Sequence, residues 1–326
     1  MTPRRRALVA AALAGLGVAS MLAVAVWIDW RHSIAGDGHY VFAAARSLAF
    51  DGDLDLTNQY RLMGDRWGLG RDPCDDGWRL PPREIGPSLL MVPGLWLHHA
   101  LNLAPHWAPA CASLLAAASL GPCWLACTLL LDGCNRDRSR RSSEWLAAAA
   151  LFAFVVPFYA VGRSGYPHAG DALTCAWLLW ALASPPRAGP RGERIRSVTV
   201  GLLLACAVLM RLQNLLWLLW PLADLLAASK DTRRPRALAL LTISSLALLG
   251  VAPQLWLAWA HPGSLHGVIR WDLSFFDLAD FPTDLARVLV GVHGLLRWTP
   301  ITALALLGLG WSAFAPRPVF FQAEDG

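Results

Sequence analysis

The residues best suited to chemistry stand in short polar stretches between long apolar runs. Gly36-Asp37-Gly38-His39-Tyr40 puts a carboxylate just after the first apolar run, and Pro82-Arg83-Glu84 puts a cation beside a second carboxylate. Arg163-Ser164-Gly165-Tyr166-Pro167-His168 and His293-Gly294-Leu295-Leu296-Arg297 carry cations in two later segments. Arg211 is a lone charge inside an apolar run. A carboxylate can take the proton of an attacking hydroxyl. Arginine and histidine can hold a phosphate as it leaves. Together these groups suit transfer from a lipid-phosphate donor whose head group lies at a membrane surface. On this reading Asp37 is the base, and Arg211 with Arg163 or His168 holds the phosphate. Arg83 and His293 complete the substrate-binding cations. Glu84 reads as a second carboxylate that orients an acceptor or holds a divalent metal. Each residue has a plainer reading too. Asp37 can cap a helix, Glu84 can pair with Arg83 on the surface, and Arg211 can snorkel to an interface. His168 and His293 can be structural.

The elements that must position these groups are membrane helices. Of 326 residues, 56% are hydrophobic and 16% charged, well short of the roughly 25% charged typical of soluble chains. The net charge of +5 is carried almost wholly by arginine, since Lys230 is the only lysine. The arginines cluster between apolar runs, which marks cytoplasmic loops and not a nucleic-acid surface. The seven cysteines form no CxxC pair and suggest no disulfide framework.

The apolar runs are Ala7–Ile28, Trp107–Leu131, Trp145–Val161, Ala172–Ser184, Val198–Ser229, Ala237–Ala260 and Ile301–Phe314. The first is 22 residues long, enough for an uncleaved span and too long for a signal-peptide core. Basic clusters at Arg4–Arg6, Arg136–Arg141, Arg187–Arg196 and Lys230–Arg236 are assigned to the cytoplasm. Val198–Ser229 is flanked by two of them, so its 32 residues are expected to cross twice. The predicted turn is Met210-Arg211-Leu212-Gln213-Asn214, set below the outer surface because each arm is short. One long helix is the alternative, at odds with the charge rule. The expectation is an all-α polytopic bundle of about eight membrane helices, N-terminus inside. Outer loops span about residues 29–105 and 261–300. In the first, ten acids and seven arginines between Asp29 and Glu84 make the outer face acidic. Tyr40–Phe50, with Asp37 in an N-cap-like position, and Gly86–Leu103 read as helices lying on the membrane. A true span at Gly86–Leu103 is the alternative, and it would invert every later loop.

Asp51-Gly52-Asp53-Leu54-Asp55 begins like a calcium loop, but Leu56 and Leu62 stand where that loop needs Gly and Glu. A turn is the expected role. No Walker loop, GxSxG or HExxH occurs. Many of the 17 tryptophans lie near span ends, as interface anchors do. Residues 320–326 resemble one translation frame of a sequencing adapter, so the natural domain is expected to cover 1–319 and continue beyond.

The order of these features resembles the GT-C superfamily of membrane glycosyltransferases. The nearest branch holds protein O-mannosyltransferases, lipid-A aminoarabinose transferases and lipopolysaccharide-modifying transferases. These carry an acid in the first outer loop, a Tyr three residues on, a small-Gly-Asp turn and a Glu-Lys-Pro-like element. Asp37, Tyr40 and Glu84 match the acid, the tyrosine and the second acid. Gly38 departs from the second acid of many relatives, and Ile85-Gly86-Pro87 departs from Lys-Pro. The absent acid pair puts protein acceptors in doubt. The resemblance implies a polyprenyl-phosphate sugar donor, an envelope lipid, glycan or protein as acceptor, and a bacterial cytoplasmic membrane with the site facing outward. A transporter or lipid-binding protein is the rival, although no internal repeat is visible.

Overall fold

The computed structural model describes residues 2–27, 34–65, 73–134, 140–153, 156–184 and 189–262, with 282, 283 and 286. Among these residues every regular element is helical. The first outer segment holds α2 (Asp37–Arg46), α3 (Thr57–Met63) and α4 (Gly86–Ala100) after α1 (Pro3–Trp27). Then come α5 (Ala108–Ala112), α6 (Leu114–Ala117), α7 (Leu120–Cys134), α8 (Arg140–Ala153) and α9 (Pro167–Ala183). The series ends with α10 (Gly189–Met210), α11 (Leu219–Leu226) and α12 (Lys230–Ala260). Ser47–Asp51 and Phe158–Gly162 are π-helical turns, and Leu212–Leu218 is a 3₁₀ helix.

Three stretches are long and apolar enough to cross a membrane: α1, Leu114–Asp132 and α12. Leu8 and Leu16 on α1, and Leu241, Leu248 and Trp259 on α12, are exposed. Apolar faces of that extent need a nonaqueous neighbour such as lipid. The other expected spans are shorter or interrupted. The helix over 140–153 has 14 residues and α9 has 17. Ile301–Phe314, like the tail 320–326, lies outside the described residues. The expected run from Trp107 is broken at Ser113 and again before α7. Pro109 and Pro122 each sit in a first helical turn, where proline's missing N–H costs nothing and favours a new start.

Helix directions follow from backbone contacts at small residues. A Cβ on Gly17 would meet the Ala117 carbonyl at 2.3 Å, and one on Gly121 the Ala10 carbonyl at 2.1 Å, so α1 runs antiparallel to this stretch. Gly201 faces Ile243 and Leu246, and Gly250 faces Ala205 and Val208, so α10 and α12 run parallel. That requires a return arm between them. The chain breaks at Arg211 and comes back through Leu212–Leu226, a reversal of direction within the run expected to turn at 210–214. The first arm begins earlier than expected, at Gly189. The return arm is partly 3₁₀, in which every third residue aligns. Leu212, Leu215 and Leu218 accordingly pack on the core formed with Leu178, Leu204 and Ile243, while Leu216 and Leu219 stay exposed.

Ion pairs gather the basic helix ends. Arg6 binds Asp132 at 2.6 Å and Glu144 at 3.3 Å, joining the start of α1, the end of α7 and the start of α8. Arg236 binds Glu193 at 3.7 Å and Asp224 at 3.8 Å, and Arg196 Nη2 donates to the Leu182 carbonyl at 2.9 Å. This second group joins the starts of α10 and α12 with the ends of α9 and α11. The candidate site lies at the opposite end of these helices.

One expectation changes. The helix read as lying on the membrane starts at Asp37 and is buried from Gly38 through Ala45. Leu54, Leu56, Leu80 and Ile85 cover one side of it, and Met91 and Leu95 of α4 cover another. Its alanine face looks amphipathic in sequence because small residues do not reveal how closely their neighbours approach.

Candidate functional site

Asp37 is the first residue of α2. The preceding Gly36, at φ 55° and ψ −131°, occupies the cap position, and no side chain caps the helix. Asp37 is therefore not the N-cap. Its Oδ1 instead accepts a hydrogen bond from Arg83 Nη2 at 2.9 Å, with the two side chains 26% and 43% exposed. A carboxylate in the first turn is also favoured by the helix dipole. Arg83 arrives from the segment before α4. Ser88 Oγ donates to the Val41 carbonyl at 3.0 Å and ties α4 to α2. Gly86 lets the start of α4 rest on the backbone of Leu209 and Met210, where a Cβ would fall 2.4 Å from the Leu209 oxygen.

The segment between α8 and α9 supplies the next groups. Its π turn ends at Arg163, and the Tyr166 amide donates to the Arg163 carbonyl at 2.9 Å. Tyr166 is extended, as a residue before proline prefers, and Pro167 opens α9. This geometry drives the Tyr166 hydroxyl against Gly36, 2.6 Å from where a Cβ would stand. The Arg163 guanidinium lies 5.8 Å from the Tyr166 ring centre. The Tyr159 ring is 4.4 Å from His168 and 6.1 Å from Tyr166, and His168 lies 6.4 Å from Tyr166 in a stacked orientation.

His168 stands one turn before the apolar run that starts at Ala172. Burial, and next the Arg211 charge, hold its pKa below the usual imidazole value. These surroundings favour the neutral ring over the cation that the sequence suggests. Asp171, Asp37 and Arg83 also act electrostatically on His168, which places these groups in one site. Tyr166 is pushed above the ordinary phenol pKa, first by burial; Arg163 opposes the shift, and Asp37 adds to it.

The fourth segment is the break after α10. Arg211 is extended, at φ −153° and ψ 125°. Its Nε lies 3.9 Å from Asp171 Oδ2. Asn214 Nδ2 donates to Asp171 Oδ1 at 2.6 Å and to the Ala207 carbonyl at 2.8 Å. The Ala207 carbonyl also accepts from the Arg211 amide at 2.9 Å, so Asn214 adds a second bond at the point where the helix is interrupted. Asp171 and Asn214 escape sequence reasoning as site residues. The available signal was spacing: Asp171 follows His168 by three positions on one helix, so the two share a face.

Asp37, Arg83, Arg163, His168 and Arg211 thus come together. Tyr40 does not join them. It is fully buried, its hydroxyl bonds the Asp65 carboxylate, and its ring meets the edges of His39 at 5.4 Å and Tyr60 at 6.2 Å. It packs the first-loop core and leaves no face for a ligand. Glu84 is half-buried, and no hydrogen bond or ion pair to it is found among the described residues. Arg83 turns to Asp37 instead, so the surface pairing of Arg83 with Glu84 does not form. His293 and Arg297 lie outside the described residues. The Asp51–Asp55 turn is satisfied internally: Asp53 accepts from Ser47 at 2.8 Å and Asp55 from Thr57 at 2.7 Å. Among the described residues no group of three His, Cys, Asp or Glu side chains converges as a metal site. Comparison with protein-family models, curated proteins and solved structures finds no match for the chain.

Proposed function

We propose that this chain is a membrane glycosyltransferase of GT-C type that moves a sugar from a polyprenyl-phosphate donor to an acceptor outside the cytoplasmic membrane. The observation that carries this reading is the convergence of Asp37, Arg83, Arg163 and Arg211. They come from four segments and meet at the end of the bundle away from the basic helix ends. A carboxylate beside guanidinium groups suits displacement of a phosphate by a hydroxyl. The Asp37 carboxylate takes the hydroxyl proton, and the acceptor oxygen attacks the anomeric carbon. The bond from that carbon to the phosphate oxygen breaks, and the phosphate departs with the electron pair. Arg211 and Arg163 hold it. Arg83 orients Asp37, and Asp171 orients Arg211. The site end then faces outward, in keeping with the basic ends lying inside.

The test is label transfer from a panel of radiolabelled polyprenyl-phosphate sugars, using membranes with the wild-type chain and with Asp37→Asn. The wild type should transfer label from one donor. The variant should lose at least about a hundredfold of the rate, since an amide keeps the contact with Arg83 but cannot serve as the base. Full activity in a folded variant would remove Asp37 from the role. No transfer from any donor by a folded wild type would favour the transporter or lipid-binding reading.

A further inference from the structure

The three-ring cluster at the site is used by none of the chemistry above. Tyr159 lies on a π turn, an extra-residue feature that often marks functional positions. Tyr166 precedes α9 and His168 is its second residue. Two segments thus bring Tyr159, Tyr166 and His168 within 4.4 to 6.4 Å of one another. A lipid-interface tyrosine turns its polar tip to water. Tyr166 instead turns its hydroxyl inward against Gly36, one residue from the Asp37 carboxylate. Phe158, exposed and edge-on to Tyr159 at 5.2 Å, extends the aromatic surface outward. The cluster therefore offers apolar ring faces bordered by a carboxylate and a guanidinium. A pyranose matches that surface, because one face presents C–H bonds while the rim presents hydroxyls.

We propose that Tyr159, Tyr166 and His168 form a stacking wall for a pyranose ring beside Asp37. The inference deepens the transferase reading and rests on it for the fate of the ring. It assigns a sugar-contacting role to Tyr159, which no motif marks. The neutral state of His168 suits a stacking role, since a charged imidazole would hold water over its face. Arg163, lying over Tyr166, fixes the ring that is closest to the base. The ring bound there belongs either to the donor sugar or to a glycan acceptor; the wall recognises the same C–H face in both.

The experiment is saturation-transfer NMR with methyl glycosides of glucose, mannose, galactose and N-acetylglucosamine. The full chain is held in a detergent without sugar head groups, and nucleosides serve as controls. At least one glycoside should receive saturation at its C–H face. Tyr159→Phe should keep that signal. Tyr159→Leu, judged folded by its melting curve, should bind about five- to tenfold more weakly, the worth of one aromatic contact. Displacement of the glycoside by a sugar-bearing polyprenyl phosphate assigns the wall to the donor ring. Retention of the glycoside assigns it to the acceptor. No saturation of any glycoside, saturation of the nucleosides instead, or equal binding by Tyr159→Leu overturns the wall. Glycoside binding that is intact in a chain with no transfer activity overturns the transferase reading alone.

Discussion

Gly36→Ala probes how two distant segments build the site. At φ 55° and ψ −131°, Gly36 holds a backbone conformation that an L side chain adopts at a cost of about 1–3 kcal/mol. The new methyl would also lie 2.6 Å from the Tyr166 hydroxyl oxygen and 3.3 Å from the ring carbon that carries it. Comfortable carbon contacts begin at about 3.5 Å, so the tyrosine must swing away. Its ring contacts to His168 and Tyr159 weaken, at a cost of about 0.5–1.5 kcal/mol. Together the substitution should destabilise the chain by about 2–4 kcal/mol. The two contributions separate in a double-mutant cycle with Tyr166→Phe, which removes the nearest atom but leaves the backbone strain. In that background Gly36→Ala should cost about 1 kcal/mol less. The assay is reversible unfolding in mixed micelles of rising anionic-detergent fraction. A Gly36→Ala chain as stable as wild type would refute the positive-φ turn. An identical cost in both backgrounds would show that Tyr166 does not press on Gly36.

The remaining predictions concern charge. Arg6→Ala should destabilise the chain by about 3 kcal/mol in the same unfolding assay, because it takes the 2.6 Å charge partner from the mostly buried Asp132 carboxylate; a loss below about 1 kcal/mol would mean water already screens that carboxylate. His168 has a depressed pKa, so the unfolded chain binds more protons than the folded one just below the ordinary imidazole pKa of about 6.5. Its contribution to stability is therefore present above about pH 6.5 and lost as pH falls through the lower folded value. Melting curves from pH 8 to 5 should show that decline, and His168→Gln should flatten it. Asp171→Asn should lower stability by about 1–2 kcal/mol by weakening the bond to Asn214. It should also raise KM for the donor more than it lowers kcat, with Asp171→Glu recovering part of the loss.

Much of the architecture was legible because charge and hydropathy act over whole segments. Two basic clusters around one apolar run demand an even number of crossings, and the break falls at Arg211 as the interrupting charge implies. Arg163 and Arg211 stand out in the sequence as charges beside or within apolar runs, whereas His168 reads there as a cation although its surroundings favour the neutral ring. What escaped depends on neighbours distant in sequence. Val41, Ala44 and Leu48 have the spacing of a surface helix, yet Leu54, Leu56, Leu80 and Ile85 on one side and Met91 and Leu95 of α4 on another enclose it. Tyr40 carries a motif-like spacing from Asp37, but Asp65 and Tyr60 draw it into the core. The protonation state of His168 depends on burial and on Arg211, forty-three positions away. Asp171 looks like the first polar residue of an apolar helix until Asn214 and Arg211 are set against it.

The return arm carries a consequence for how firmly Arg211 is placed. Its seven 3₁₀ residues and eight α residues reach about 26 Å, since a 3₁₀ residue rises about 2.0 Å and an α residue about 1.5 Å. The arm is pinned near Asp224 by Arg236, so its length fixes the height of the Arg211 guanidinium above that pin. Rewinding the seven residues into α geometry would draw Arg211 down by about 3.5 Å, roughly the thickness of one phosphate oxygen layer. The arm is thus a strut whose pitch sets the altitude of the Arg211 charge. An inserted residue there would retune reach, where the same insertion in α12 would rotate a whole face.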